Sequence, residues 1–469
     1  MLTRPPQLPA ALAGASPKPY WLDQAGAPAP LPPLRGTVQA DVAVIGGGFS
    51  GLWTALLAKE RDPGRDVVLV EGRRIAWAGT GRNGGFCSAS LTHGLGNGLE
   101  RFPEEIETLE WLGRENLDQI EHAIRRYGIN CDFRRSGELA VATEPWQVED
   151  LAAVAEAAIR LGGQADLLDA AAVRQELNSP TYLGGLWLRD SCALVDPARL
   201  AWGLRRACLA AGVRIYEHTP VLAIGERGAE LVLTTPTGQV QAQKAALAAG
   251  AFAPLLRRLR HYVVPVYDYV LMTRPLSPAQ LASIGWRNRQ GVADGSNQFH
   301  YYRLTADDRI LWGGYDAVYY FGSQIAARLD QRPATFATLA AHFYSTFPQL
   351  DGLEFTHSWG GVIDTCSRFC AFYGTARSGR IAYVAGYTGL GVGASRFGAN
   401  VLLDLLSGEE TERTQLQMVR SKPLPFPPEP ARSIGIGLTR WSLARADARA
   451  GRRNAWLRAL DGIGLGFDT

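Results

Sequence analysis

Asp41-Val-Ala-Val-Ile45-Gly46-Gly47-Gly48-Phe49-Ser50-Gly51, with Val67-Val-Leu-Val70-Glu71 following it, is the stretch whose reading decides the fold. A short apolar run meets Gly-x-Gly-x-x-Gly, a helix is predicted over Leu52 to Lys59, and a second apolar run ends in an acid. Together they spell a βαβ dinucleotide-binding unit. Gly46 permits the tight turn, Gly48 lets the backbone approach a pyrophosphate, and Gly51 allows helix to pack closely on strand. The free N–H groups and positive end of the helix receive the phosphates. Glu71 is placed to accept hydrogen bonds from a ribose hydroxyl pair. An acid there disfavours a 2′-phosphate, so the adenosine half of FAD or NAD is implied.

The chain has 469 residues, 46% apolar and 20% charged, with a net charge of +3. That length predicts two or three lobes around separate cores. The charge is nearly balanced and no basic run is interleaved with aromatics, so nucleic acid is not an expected partner. No apolar run is long enough for a membrane span. The N-terminal stretch around Arg4 lacks the apolar core of a signal peptide, and the expected location is cytoplasmic. Cys87, Cys131, Cys192, Cys208, Cys366 and Cys370 are scattered and read as thiols, with no metal site expected.

Outward from the glycine turn, Pro-rich 27–34 reads as an arm into the first strand. Ile106, Leu109, Leu117, Ile120 and Ile124 recur at helical spacing within 103–127, and Phe133 to Thr143 reads as a strand. Asp196-Pro197 opens a helix that ends at Gly212 and runs into a strand at 213–216. Short strands at 221–224, 230–234 and 245–249 follow, ending at Gly250. From Val263 to about Gly314 the pattern becomes aromatic-rich and alternating, as in an antiparallel sheet, with strands at Gln298 to Arg303 and Arg309 to Gly313. Near the C-terminus, Ile381-Ala-Tyr-Val-Ala-Gly386-Tyr-Thr-Gly389-Leu390-Gly391-Val392-Gly393 repeats the order of strand, glycine-rich loop and helix.

Two such turns favour a cofactor held at both ends, which is FAD. A helix starting near Gly391 would aim its N-terminal N–H groups at the N1/C2=O edge of the isoalloxazine, where reduction places negative charge. These segments, with Ala78-Gly79-Thr80-Gly81-Arg82-Asn83-Gly84-Gly85, Val195-Asp196-Pro197, Ala249-Gly250-Ala251 and Trp359-Gly360-Gly361, resemble the glycine/D-amino-acid oxidase family of FAD-dependent amine oxidoreductases. Within it the chain looks most like the γ-glutamylputrescine oxidase-like branch, on the Arg82-Asn83-Gly84-Gly85 run and Tyr301-Tyr302-Arg303-Leu304-Thr305. The resemblance implies an α/β fold in which a Rossmann-type FAD-binding domain in three discontinuous segments (38–95, 191–256, 356–405) is joined to a mostly antiparallel α+β substrate domain (96–190, 257–355), with a C-terminal helical extension (406–469).

It also implies non-covalent FAD contacts at Gly46, Gly48, Phe49, Ser50, Gly51, Glu71, Gly72 and Arg73, at Gly79, Thr80 and Arg82 to Gly85, at Val221, Gly250 and Gly361, and at Gly389, Leu390, Gly391 and Val392. The implied reaction is hydride transfer from the carbon beside an amine to the flavin, then imine hydrolysis, with O2 or another acceptor reoxidising the cofactor.

Sarcosine oxidases of the family hold the substrate carboxylate with an Arg and a Lys at positions that fall here near Gly84-Gly85 and Gly393. Their oxygen-activating Lys falls near Trp312, and a loop His is replaced by Leu390. A small α-amino acid is therefore disfavoured, and an amine with a distal anion, γ-glutamylated or aminophosphonate-like, is the expected substrate. Tyr301, Arg303, Trp312 and Trp359 are the candidate catalytic residues. Arg303 is either an anion-binding group or a surface arginine. Tyr267, Tyr269, Tyr301, Trp312 and Trp359 form either an aromatic cage for an amine or plain core. His300 is polar lining or a core histidine. Rival readings are a glycine or D-amino-acid oxidase with Arg303 on the carboxylate, a non-catalytic redox-sensing flavoprotein, and an NAD-only dehydrogenase.

Overall fold

The computed structural model describes residues 10–252, 255–462 and 464–465. The stretch around Arg4 thus lies outside the described residues. Among those described, no helix is long and apolar enough to cross a membrane.

The opening strand Gly36–Ile45 lies in the middle of the first sheet, parallel to Gly238–Leu247 on one side and to Val67–Val70 on the other. The strand order is 372–376, 381–385, 238–247, 36–45, 67–70, 214–216, and a meander of 223–227 and 230–234 hangs from Gly238–Leu247. Ala43 and Val44 are completely buried, as both faces of the sheet are covered. Helix Phe49–Arg61 packs on one face together with helices Pro197–Ala210 and Gly391–Ser407. The Asp196 carboxylate caps the second of these, accepting from Arg199 N at 2.9 Å, with Pro197 in the first turn. Helix Ile106–Arg126 buries all five expected apolar residues and lays four of them, Leu109, Leu117, Ile120 and Ile124, against the same core.

The second sheet, order 318–319, 264–273, 310–314, 300–304, 291–294, 138–142, 184–188, 165–169, is antiparallel except where 291–294 runs parallel to 138–142. The strand expected over 133–143 is confined to Glu138–Ala142. Phe355–Thr365 also belongs to this sheet, paired with Val264–Thr273 along its length. A division at residue 356 therefore does not follow the hydrogen bonding, because the chain returns to the first sheet only at Phe372–Ala376. One face of the second sheet is sealed by helix Pro333–Thr346, through Phe336, Leu339 and Phe343. The other face turns toward the glycine loops. Helices Ala431–Asp447 and Ala455–Gly462 close the chain.

Candidate active site

Five interlocks assemble the glycine-rich segments into one trough. Gly46 adopts φ +115°, and a Cβ there would lie 2.4 Å from Ala248 O, just before Gly250. Glu71 accepts hydrogen bonds from Gly47 N at 2.6 Å and from Arg73 N at 2.8 Å, tying the end of the second strand to the first loop. Phe49 N donates to Thr80 Oγ1 at 3.1 Å, and a Cβ on Gly48 would meet the same oxygen at 2.9 Å. Ser50 Oγ donates to the Tyr387 hydroxyl at 3.0 Å and so links the two glycine loops across the trough. The Asp364 carboxylate accepts from Gly386 N at 2.8 Å and Tyr387 N at 3.3 Å and holds the second loop down.

The 79–85 segment is fixed by its own side chains and by two tryptophans. Asn83 Nδ2 donates to the Gly79 and Thr80 carbonyls, and its Oδ1 accepts from Gly85 N. Trp21 and Trp359 donate their indole N–H groups to the Asn83 and Arg82 carbonyls at 2.8 and 2.9 Å. Arg82 is bound to Asp330 at 2.7 Å and to Gly360 O at 2.9 Å. Gly361, whose Cβ would stand 3.3 Å from that of Arg82, lets strand and loop approach. Gly72 lies close to Pro220, beside Val221, and the Arg73 guanidinium sits over the Trp77 ring at 4.6 Å.

The structure fits a dinucleotide at both helix starts. The first intrahelical bonds are those of Leu52 N to Gly48 O and of Ala394 N to Leu390 O. The N–H groups of Gly391, Val392 and Gly393 thus precede the first intrahelical donor, Ala394 N, and carry the positive end of that helix. Gly389, at φ +97° with nothing within 4 Å of a Cβ, leaves that end open.

Three expectations for the substrate side are corrected. Arg303 is 3% exposed, so it is no surface arginine. Its Nη1 donates to Val195 O at 2.7 Å and Gly85 O at 3.2 Å, and its Nε to Leu304 O at 3.3 Å. Burial pulls its pKa down to about 10, yet it stays charged and is spent on backbone carbonyls beneath the loop. Trp312 lies on the opposite face of its strand from the trough, stacked with His300 and Tyr302 under Phe343. Its cross-strand partner is Tyr302 and not Tyr301. The cage does not form: Tyr267, Tyr269, Trp312 and Trp359 are each at most 1% exposed, in two different core clusters. His300 is tied to Asp294 and His342 in that packing, as a core histidine.

Tyr301 alone of the cage keeps accessible surface. Its ring lies against Gly84 and Gly313, each of which would push a Cβ to within 2.7 Å of it. Its hydroxyl donates to Asp268, a residue the sequence reading passes over because it is one acid amid the apolar Val264–Thr273. Asp268 is cross-strand from Gly361, and burial lifts its carboxyl to about 6. A carboxyl raised in the folded state leaves stability intact at low pH. It removes stability as pH climbs from the ordinary carboxylate range through about 6. Asp268→Asn should therefore be more stable than wild type by about 1–2 kcal/mol above that range. The gap in melting temperature should shrink as pH falls toward about 4, and a gap independent of pH would contradict the buried-acid assignment.

Residues 41–405 match the family described as FAD dependent oxidoreductase, DAO. The probable oxidoreductase OrdL of Haemophilus influenzae is 29% identical over 83% of the chain and 88% of its own length. The gamma-glutamylputrescine oxidoreductase of Escherichia coli K12 is 32% identical over 83% of the chain and 89% of its own. In three dimensions the glycine oxidase of Geobacillus kaustophilus superposes with a TM-score of 0.68 at 21% identity, covering 82% of this chain and 99% of that one. The two glycine turns, the acid at position 71 and these matches agree, and the chain belongs to the DAO family of FAD-dependent oxidoreductases.

Proposed function

We propose that the chain oxidises a primary or secondary amine whose anionic group is remote from the reacting carbon, with γ-glutamylated amines the first substrates to try. The observation that carries this reading is the commitment of the cations nearest the loop. Arg82 is paired with Asp330, and Arg303 is spent on carbonyls. Gly84, Gly85 and Gly393 offer no side chain where an α-carboxylate would be held. The 32% identity to gamma-glutamylputrescine oxidoreductase supports the same substrate class.

When bound, FAD supplies the two-electron acceptor for the C–H bond beside nitrogen, and water then takes the imine to a carbonyl and a released amine. The chain's part is to position and to exclude. Glu71 and Arg73 would hold the adenosine end, Gly46 to Gly51 the pyrophosphate, and the helix start at Gly391 to Gly393 the electron-rich edge. Tyr301, backed by Gly84 and Gly313, would form the wall against which the substrate carbon is set, and orientation of that kind can supply several kcal/mol of the barrier.

The test is anaerobic mixing of the purified holoprotein with γ-glutamylputrescine, plain diamines, an aminophosphonate, glycine and D-alanine, following the visible flavin band. The expected result is bleaching by the γ-glutamylated amine at a rate at least about 10-fold above D-alanine. Equal bleaching by D-alanine would replace this reading with an amino-acid oxidase. Absence of bleaching by every amine would favour a redox-sensing flavoprotein. Readmitting air to the bleached protein then separates an oxidase from an enzyme with another acceptor.

A further inference from the structure

Asp268 is enclosed by protein yet keeps accessible surface of its own, as do Tyr301, whose hydroxyl it accepts from, and Gly361, its cross-strand partner. Tyr301 and Gly361 lie where the second sheet meets the 79–85 loop, against Gly84 and Arg82. A carboxylate has about four acceptor positions. Three of Asp268's are engaged, by the Tyr301 hydroxyl, by Tyr269 N at 2.8 Å and by Gly314 N. One remains. The charged groups around it do not neutralise it. Asp316, after the neighbouring strand, is a second acid and takes up Arg332 and Arg440 itself; Gly361, on the strand opposite, has no side chain; and Arg82, beneath Gly361, is bound to Asp330. An interior carboxylate in that state costs free energy unless a cation pairs with it.

We propose that Asp268 docks the ammonium end of the substrate and accepts its proton, so that the amine reaches the reacting position neutral. The assignment rests on the amine-oxidation reading above and adds the group that recognises the reacting nitrogen. In the step, one N–H bond of R–CH2–NH3+ breaks and one O–H bond forms on Asp268. The lone pair stays on nitrogen, and nothing is oxidised or reduced. The freed lone pair is what the departing C–H hydrogen requires. A carboxyl lifted to about 6 is ionised near neutral pH and can take a proton from an ammonium held against it. The Tyr301 hydroxyl positions the carboxylate by its hydrogen bond to Oδ2.

The experiment compares wild type, Asp268→Asn and Tyr301→Phe as FAD-loaded proteins, using whichever amine bleaches wild type. Asp268→Asn should slow flavin reduction about 100-fold near pH 7, with the deficit closing to about 3-fold near pH 10, where alkylamines arrive neutral. A deficit equal at both pH values, or no deficit, overturns the assignment while leaving the amine-oxidation reading standing. If Asp268→Asn fails to retain FAD, Tyr301→Phe decides. Losing that hydrogen bond should move the acid limb of the pH profile up by about one unit, and an unmoved limb overturns the assignment. Calorimetry with tert-butylammonium, which has no C–H beside nitrogen, gives a readout free of turnover. Affinity should fall at least about 10-fold in Asp268→Asn and hold for the uncharged tert-butanol. Equal binding of tert-butylammonium to both proteins, or none to wild type, counts against Asp268. If wild type is bleached by no amine yet binds tert-butylammonium through Asp268, the oxidation reading fails and the docking group stands.

Discussion

Gly51→Ala should give a colourless protein that melts well below wild type. In most helices the exchange would gain about 1 kcal/mol from alanine's propensity. Here a Cβ would stand 1.8 Å from Gly46 O and 2.9 Å from Gly46 C, both backbone atoms of the first glycine loop. The helix cannot retreat cheaply, because Leu52, Ala55 and Leu56 on it are completely buried. The loop has little room to yield either: Gly46 sits at φ +115°, so close to Ala248 that a Cβ there would lie 2.4 Å from its carbonyl oxygen. The strain should exceed about 3 kcal/mol and, falling on the cradle, should weaken FAD binding more than about 100-fold. The checks are the ratio of flavin to protein absorbance after purification and the melting temperature with and without added FAD. Gly435→Ala, in a helix with nothing within 4 Å of the new methyl, is the control and should be neutral or slightly stabilising. A yellow Gly51→Ala protein with a wild-type melting point would remove the close packing from the account of the cradle.

The cradle was legible because its constraints are local. Gly46 to Gly51, Glu71 and Asp196-Pro197 announce a turn, a strand end and a cap within a few residues of themselves, and the face Ile106, Leu109, Leu117, Ile120, Ile124 repeats at the helical period. The substrate wall was not legible, because it depends on which side of a strand each residue faces when both sides are covered. His300 to Leu304 reads as a strand in either orientation. Only the pairing of Tyr301 with Gly313 and of Tyr302 with Trp312 sends Tyr301 and Arg303 toward the loop and Trp312 away from it. Asp268 and Trp21 were overlooked for a related reason. Their partners, Tyr301 and Asn83, are far along the chain, and neither residue sits in a periodic pattern that would set it apart. The division at residue 356 fails because Phe355–Thr365 pairs with a strand some ninety residues earlier.

Arg303→Met separates the two roles open to this arginine, and the expected result is a loss of stability of about 3 kcal/mol with little change in substrate preference. Methionine fills most of the volume and spares the protein a buried charge. It takes the arginine's donors from the Val195 and Leu304 carbonyls, at about 1–3 kcal/mol for each left unpaired where water cannot reach, and from Gly85 O, which keeps the bond from Val195 N. Arg303→Lys should recover only part of the loss: one ammonium can serve the Gly85 and Val195 oxygens, which share Nη1 in the wild type, but it has no second donor in the place of Nε for Leu304 O. Because the Gly85 carbonyl belongs to the cradle, FAD should dissociate more readily from both variants, and excess FAD should restore much of the melting temperature. In the FAD-saturated proteins, the ratio of KM for an anionic amine to KM for an uncharged one of the same length should stay within about 3-fold of wild type. An arginine that grips the substrate's anion would do the reverse, raising that ratio at least about 10-fold while the melting temperature hardly moves. The two signatures do not overlap, so the pair of variants decides whether Arg303 supports the floor of the site or reaches into it.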